Sequence, residues 1–221
     1  HTLNPIAASG TPEEAHKKMK EETKGILEEH PNVFPMGLGG EHAVTHAFVA
    51  GLIESGKFPE FGILQIDAHS DLRDTYEDSK HSHACVMRRL RDDHNMKTVH
   101  IGIREGLGEG ELPYIEEHNI PIFYAPYDEK MIPNILDSLP ENVFITFDVD
   151  ALDPGIMPST GTPVPGGLGW YESLKLLRSV FEKKNVIGMD IVELAPIEGL
   201  HAPDFLVATL AHRCLGYKFC L

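Results

Sequence analysis

Short apolar runs alternate with amphipathic stretches along the 221 residues, predicting an α/β fold in which helices cover both faces of a parallel sheet. Three observations carry this reading. Strand-like runs rich in Val, Ile and Phe recur at FGILQI, TVHIGI, NVFITF and NVIGMDIV, with helical stretches between them. Polar residues close several of these runs, as expected where strand carboxyl ends form a ligand crevice. No internal repeat, low-complexity tract or interdomain linker breaks the pattern, so residues 1–221 read as one domain.

Each element has a local reason. His1 to Thr11 is a polar loop bearing Pro and Gly. Thr11-Pro12-Glu13-Glu14 starts a helix, with Thr as N-cap, Pro at the first helical position and acids in the first turn; it runs to about Glu29. The short strand VFPMGL breaks at Gly39-Gly40 and delivers Glu41-His42 to a helix over Ala43 to Glu54. FGILQIDAHSD follows, then a polar loop from Leu72 to His81 that is too long for a mere connector and suits a substrate pocket. Ser82-His83 opens a helix reaching Asp93. Then come strand TVHIGI, a Gly-rich loop, a helix over Leu112 to Glu117, strand IPIFYA, a helix over Glu129 to Leu139 and strand NVFITFDVD. Ala151 to Gly169 is a loop stiffened by many Pro residues. A helix over Trp170 to Lys183, strand NVIGMDIVEL and a helix over Asp204 to Leu215 follow.

Charge narrows the function. A net charge of −15 argues against nucleic acid and anionic membrane as partners and favours a small cationic substrate. Cys85, Cys214 and Cys220 are odd in number and lack CxxC spacing, which fits free thiols in a reducing cytoplasm. No apolar run has the length of a membrane span, and no signal peptide opens the chain. The first residue is His1 rather than Met, so an N-terminal segment is expected to be missing from this sequence.

The chemistry concentrates at strand ends. In FGILQIDAHSD, Asp67, His69 and Asp71 stand at i, i+2 and i+4, a spacing that in an extended chain puts all three on one side. NVFITF likewise runs into Asp148 and Asp150. With His42 and Glu193, these residues could converge at one end of the sheet. A lone Asp-x-Asp is ordinarily a solvated turn, but here both motifs cap buried strands, where unpaired carboxylates would be costly. Four aspartates and two histidines exceed the needs of one ion and suit two. Carboxylate and imidazole without thiolate favour a hard divalent ion such as Mn²⁺ over structural zinc. Asp148-x-Asp150-x-x-Asp153 is not an EF-hand loop, because the third acid falls one place late and Ser159 stands where a Glu is required.

Taken together, GLGGEH, DAHSD, SHACVMRR, FDVDALDP, PSTGTPVPGGL and DIVELAP resemble the ureohydrolases, the arginase and agmatinase family, in order and approximate spacing from Gly37 onwards. The resemblance implies a three-layer α/β/α sandwich with a mainly parallel sheet, two Mn²⁺ per chain, and a homo-oligomer, trimer or hexamer. It implies hydrolysis of a guanidino compound to urea and an amine by attack of a metal-bridging hydroxide on the guanidinium carbon. By that resemblance one ion takes His42, Asp67, Asp71 and Asp148, and the other Asp67, His69, Asp148 and Asp150. Asp71 would also relay a proton, His83 would exchange protons with bulk water, and Glu193 would hydrogen-bond the guanidinium.

Arg73 stands where arginase-like members carry an Asn, so the substrate is expected to be agmatine, giving putrescine and urea. Arginine, guanidinobutyrate, guanidinopropionate, formiminoglutamate and guanidine are the alternatives within the family. A metallophosphoesterase would need GNH and GHxH runs, which do not occur. An inactive structural relative is disfavoured because every ligand position is filled. Of the other histidines, His46 is read as a packing residue or one that supports a ligand from behind, and His81 as a surface residue of the pocket loop, with a place at the pocket entrance as the alternative. His1, His16, His30, His94, His100, His118, His201 and His212 are read as structural or exposed, and Cys85 as a buried thiol.

Overall fold

A computed structural model describes residues 2–108 and 110–221; the expectation for His1 lies outside them. Six strands form one sheet: β1 (Met36–Leu38), β2 (Gly62–Ile66), β3 (Thr98–Ile103), β4 (Ile122–Tyr124), β5 (Asn142–Asp148) and β6 (Asn185–Val192). Their order is β1-β6-β5-β2-β3-β4, and every neighbouring pair is parallel. The helices are α1 (Pro12–Glu29), α2 (Ala43–Ser55), α3 (Val86–His94), α4 (Glu111–His118), α5 (Ile132–Ser138), α6 (Trp170–Lys183) and α7 (Ala202–Cys220).

Side-chain alternation along the buried strands builds three layers. Ile63 and Phe144 face a core filled by Leu27 of α1, Val49 and Leu52 of α2, Leu90 of α3 and Ile115 of α4. Leu64, Ile66, Val143, Ile145 and Phe147 point the other way, onto Ile135 of α5, Leu177 and Val180 of α6 and Leu210 of α7. The predicted α/β/α sandwich is therefore the observed one.

Local rules hold at several helix ends. Thr11 and Glu14 form a reciprocal capping box, with Thr11 N–H donating to Glu14 Oε2 at 2.9 Å and Glu14 N–H to Thr11 Oγ1 at 3.2 Å. The segment opened by Ser82 begins as a 3₁₀ turn, His83–Cys85, and becomes α-helical only at Val86. The last helix is longer than expected at both ends, starting at Ala202 and continuing to Cys220.

Strand order decides where a ligand can sit. From β2 the chain builds outward through β3 and β4, then crosses back to place β5 on the other flank of β2. The carboxyl ends of β2 and β5 thus border the point where the winding reverses, where neighbouring loops part and leave a crevice.

One glycine keeps that crevice in shape. Gly102 has φ +91°, at the register shift between β3 and β4, and an added Cβ would come within 2.9 Å of the Asp67 carbonyl oxygen. Gly102→Ala is expected to cost about 1–3 kcal/mol through its backbone angle alone, and more through the clash. Gly199→Ala, at φ +82° with open space around it, supplies a control bearing only the backbone-angle cost. Urea denaturation midpoints of the two variants separate the contributions.

Candidate metal centre and cleft

DAHSD leaves the sheet as soon as β2 ends at Ile66, and its residues follow a bend rather than an extended strand. The expectation that alternation puts Asp67, His69 and Asp71 on one side is therefore corrected. Asp71 adopts φ +53°, and its carbonyl accepts hydrogen bonds from Met87 N–H (3.1 Å) and Arg88 N–H (3.2 Å) in the first turn of α3. This turn sends Asp71 towards His42 and His69 towards Asp150, with Asp67 shared by both groups. NVFITFDVD divides similarly: Asp148 ends β5, whereas Asp150 lies in a 3₁₀ turn over Val149–Ala151.

The first group is enclosed. His42 Nδ1 lies 3.1 Å from Asp67 Oδ2, 2.9 Å from Asp71 Oδ2 and 3.2 Å from Asp148 Oδ2. Among the described residues this nitrogen nevertheless has no correctly directed hydrogen-bond partner. The second group joins Asp67 and Asp150 to His69, whose Nδ1 is 3.5 Å from Asp67 Oδ1 and 3.0 Å from Asp150 Oδ2. Backbone amides brace the acids, His69 N–H donating to Asp67 at 2.6 Å, Ala68 N–H to Asp150 at 3.0 Å and Asp150 N–H to Asp148 at 2.9 Å.

Both groups open into a cleft of about 630 Å³. Glu193, at φ +64° just beyond β6, accepts from His42 N–H at 2.5 Å, at the start of α2, and lines the cleft. His83 stands at the mouth, half-exposed, with Nδ1 3.3 Å from Glu41 Oε2 and its ring edge-to-face with Tyr76. Arg73 also lines the cleft; its guanidinium lies 5.0 Å above the Tyr76 ring and its Nε 3.9 Å from Glu111.

Comparison with known proteins agrees with this geometry. The sequence description of the arginase family matches residues 2–216. The chain belongs to the arginase family. Among its relatives, the N(1)-aminopropylagmatine ureohydrolase of Synechocystis sp. is 44% identical over 83% of this chain and 60% of its own length. The agmatinase of Pyrococcus horikoshii is 36% identical over 83% of the chain and 62% of its own length, so the chain spans less than two thirds of either relative. The solved proclavaminate amidino hydrolase of Streptomyces clavuligerus superposes with a TM-score of 0.86 at 25% identity, over 96% of this chain and 73% of that one.

The arginase family is binuclear and metal-dependent, and the donors present here fit such a centre. Three carboxylate oxygens crowd one imidazole nitrogen, a concentration of negative charge that calls for a cation among them. Electrostatics agree. Burial disfavours charge on His42, yet Asp148, Asp67 and Asp71 outweigh it and hold its pKa well above the ordinary value. For His69, burial is likewise overridden by Asp150 and Asp67, which lift its pKa to about 11. Burial and the Asp67 charge push Asp71 up to about 7. Burial raises Asp148 too, reinforced by Asp67 and Asp150. Without a cation, then, these raised pKa values let the cluster take up protons that relieve its own repulsion.

Gln65, Thr146, Asp190, Arg104 and Glu111 surround this cluster and were not singled out in the sequence. His100, Gln65, Thr146 and Asp190 are in register across β3, β2, β5 and β6, forming one polar row beneath the acids. Gln65 Nε2 donates to Asp67 Oδ2 at 2.7 Å, its Oε1 meets His100 Nδ1, and Thr146 Oγ1 lies 2.8 Å from His42 Nε2. The available signal was a polar residue two places before the acid in each of the apolar runs GILQID and NVFITFD. Arg104 fastens the far wall, its Nη2 donating to the carbonyls of Asp150 (2.6 Å) and Val164 (2.7 Å). Buried Glu111 accepts from Ser70 Oγ, from Leu72 N–H at 3.2 Å and from Gly108 N–H, closing the loop after DAHSD.

Glu41 is the first cause of a raised His83 pKa, ahead of the opposing effect of burial. Glu41→Gln is expected to lower the His83 pKa towards its ordinary value. An NMR titration of the imidazole reads this directly, and an unmoved pKa would remove Glu41 from the account.

The remaining histidines sort unevenly. His100 is buried and structural, as expected, and Cys85 is a buried free thiol. His81 is not simply a surface residue: it is partly buried against His16 and His46, with ring centroids 4.7 and 5.9 Å away. His94 joins them, its Nε2 3.2 Å from His46 Nε2. Burial, then the neighbouring imidazoles, lowers the pKa of His16 to about 4 and of His46 to about 2.

Proposed function

We propose that the chain hydrolyses an agmatine-type guanidine to urea and an amine, with two Mn²⁺ held by His42, Asp67, Asp71 and Asp148 and by Asp67, His69, Asp148 and Asp150. The observation that carries the reading is the paired donor set sharing Asp67, at the floor of a cleft lined by Glu41, Glu105 and Glu193. When bound, two divalent ions would lower the pKa of a water at that floor and so supply a nucleophile near neutral pH.

The chain's own residues supply binding, orientation and proton management. A guanidinium is a poor electrophile because resonance spreads its charge over three nitrogens, so close placement contributes much of the acceleration. Glu193 accepts charge-assisted hydrogen bonds from the planar cation while anchored to His42 N–H, which aims the guanidinium carbon at the acids. Expelling the amine requires a proton. Asp71 stands at the floor and His83 at the solvent side, together forming a route by which a proton reaches the leaving nitrogen.

For the substrate, the acidic walls suit a second cationic group at the far end of a dication such as agmatine. Arg73 is partly engaged by Glu111 and Tyr76. A second reading, N(1)-aminopropylagmatine, is favoured by the name of the Synechocystis relative and adds a further amine for the same acids. Urea release with Mn²⁺ across agmatine, N(1)-aminopropylagmatine, arginine, guanidinobutyrate and guanidine decides the matter. Agmatine is expected to give the highest kcat/KM. A preference for the aminopropyl compound selects the second reading, a preference for arginine overturns both, and no urea from any of them overturns the hydrolase.

A further inference from the structure

Away from the acidic cleft, three elements and a loop bring four imidazoles together. His16 lies on α1, His46 on α2, His94 at the end of α3, and His81 on the loop that follows Asp71. One ring nitrogen from each of His16, His46 and His81 lies within 4.8 Å of those of the other two. Each ring also carries a buried nitrogen, His16 Nε2, His46 Nδ1 and His81 Nδ1, with no hydrogen-bond partner among the described residues. A buried polar atom without a partner is costly, and three in one place is more than packing alone explains.

We propose that His16, His46 and His81 form a second, mononuclear metal site for a borderline divalent transition ion, Zn²⁺. Neutral imidazole without carboxylate suits zinc better than manganese, and three histidines leave a fourth position for water. Three nitrogens on a tetrahedral zinc stand about 3.3 Å apart, given Zn–N bonds of about 2.0–2.1 Å. Binding would therefore draw together three nitrogens that now lie within 4.8 Å of one another. His46 is prepared for this role. Its Nε2 is 3.2 Å from His94 Nε2 and 3.8 Å from Asp93 Oδ2, and donation on that side leaves Nδ1 a bare lone pair. The nearby cations are already paired, Lys20 with Glu54 at 2.6 Å and Arg89 with Asp74 at 2.7 Å, so they do not repel an incoming ion at full strength.

Such an ion would tie the pocket loop to the outer helices. His81 is two residues from His83, and the same loop carries Arg73 and Tyr76, all three of which line the cleft. Zinc here would act as a clamp on that wall, separate from the acids that bind the catalytic pair.

The test uses the Asp148→Ala chain, in which the acidic centre is disabled, stripped with a chelator and titrated calorimetrically with Zn²⁺. One ion per chain is expected. Adding His16→Ala or, separately, His81→Ala should weaken it by at least about tenfold. A zinc-edge anomalous map of the parent crystal should place a peak among the three rings, which decides the matter even if a variant fails to fold. Zinc peaks confined to Asp67 and Asp148, or an affinity indifferent to both histidine substitutions, would overturn the site. Hydrogen exchange over residues 72–83 should slow when zinc binds, and unchanged exchange would overturn the clamp.

Discussion

Asp148→Ala is expected to lose tight metal occupancy and to lower turnover by about a thousandfold or more, since metal ions contribute several kcal/mol to such reactions and each ~1.4 kcal/mol is tenfold. Asp148 faces His42 Nδ1 at 3.2 Å and accepts from Asp150 N–H, so its removal both empties a donor position and frees the turn that aims Asp150. Manganese analysis of protein purified without added ions should find two Mn²⁺ in the parent and fewer in the variant. The rise in melting temperature that Mn²⁺ brings to the parent should disappear too. A variant retaining both ions and full turnover would end the binuclear reading.

The same electrostatics set a pH dependence. In the metal-free chain His42 has a pKa well above the ordinary value and His69 one of about 11, so both carry protons near neutral pH. An entering ion must displace these protons. Apparent metal affinity therefore falls as pH falls, and binding releases protons measurable by calorimetry in buffers of different ionisation enthalpy.

Glu193→Gln is the second large effect. A hydrogen bond to a charged group contributes about 1.5–3 kcal/mol, so removing the negative charge opposite a guanidinium should lower kcat/KM roughly a hundredfold. Gln retains an oxygen that can accept from His42 N–H, so the start of α2 and metal occupancy should survive. Burial also raises the Glu193 pKa, with the His42 N–H bond opposing it, so substrate capture should weaken as acid protonates this carboxyl. An unchanged kcat/KM would leave the guanidinium held elsewhere.

Much of the architecture was legible in sequence because it depends on local periodicity. The capping box at Thr11 and Glu14, the buried runs of β2 and β5, and the helix over Trp170–Lys183 all follow from residues near one another. Sequence was weakest where a non-glycine residue takes a left-handed conformation. Asp71 and Glu193 do so at φ +53° and +64°, and composition gives no sign of it. The error about DAHSD came from this: extended geometry was assumed beyond the end of β2.

By itself, then, the order of residues determined the strands and helices, the supply of acids and imidazoles at the strand ends, and the family. Tertiary structure alone decided which of them meet. Asp67 and Asp148 become neighbours because β5 lies against β2 in parallel register, and the polar row exists because four strands align side by side. His16, His46 and His81 gather because two helices and a loop remote in sequence pack together. Periodicity reports which side chains share one face of one element; contacts between distant elements depend on the order in which those elements are laid side by side, which no local pattern encodes.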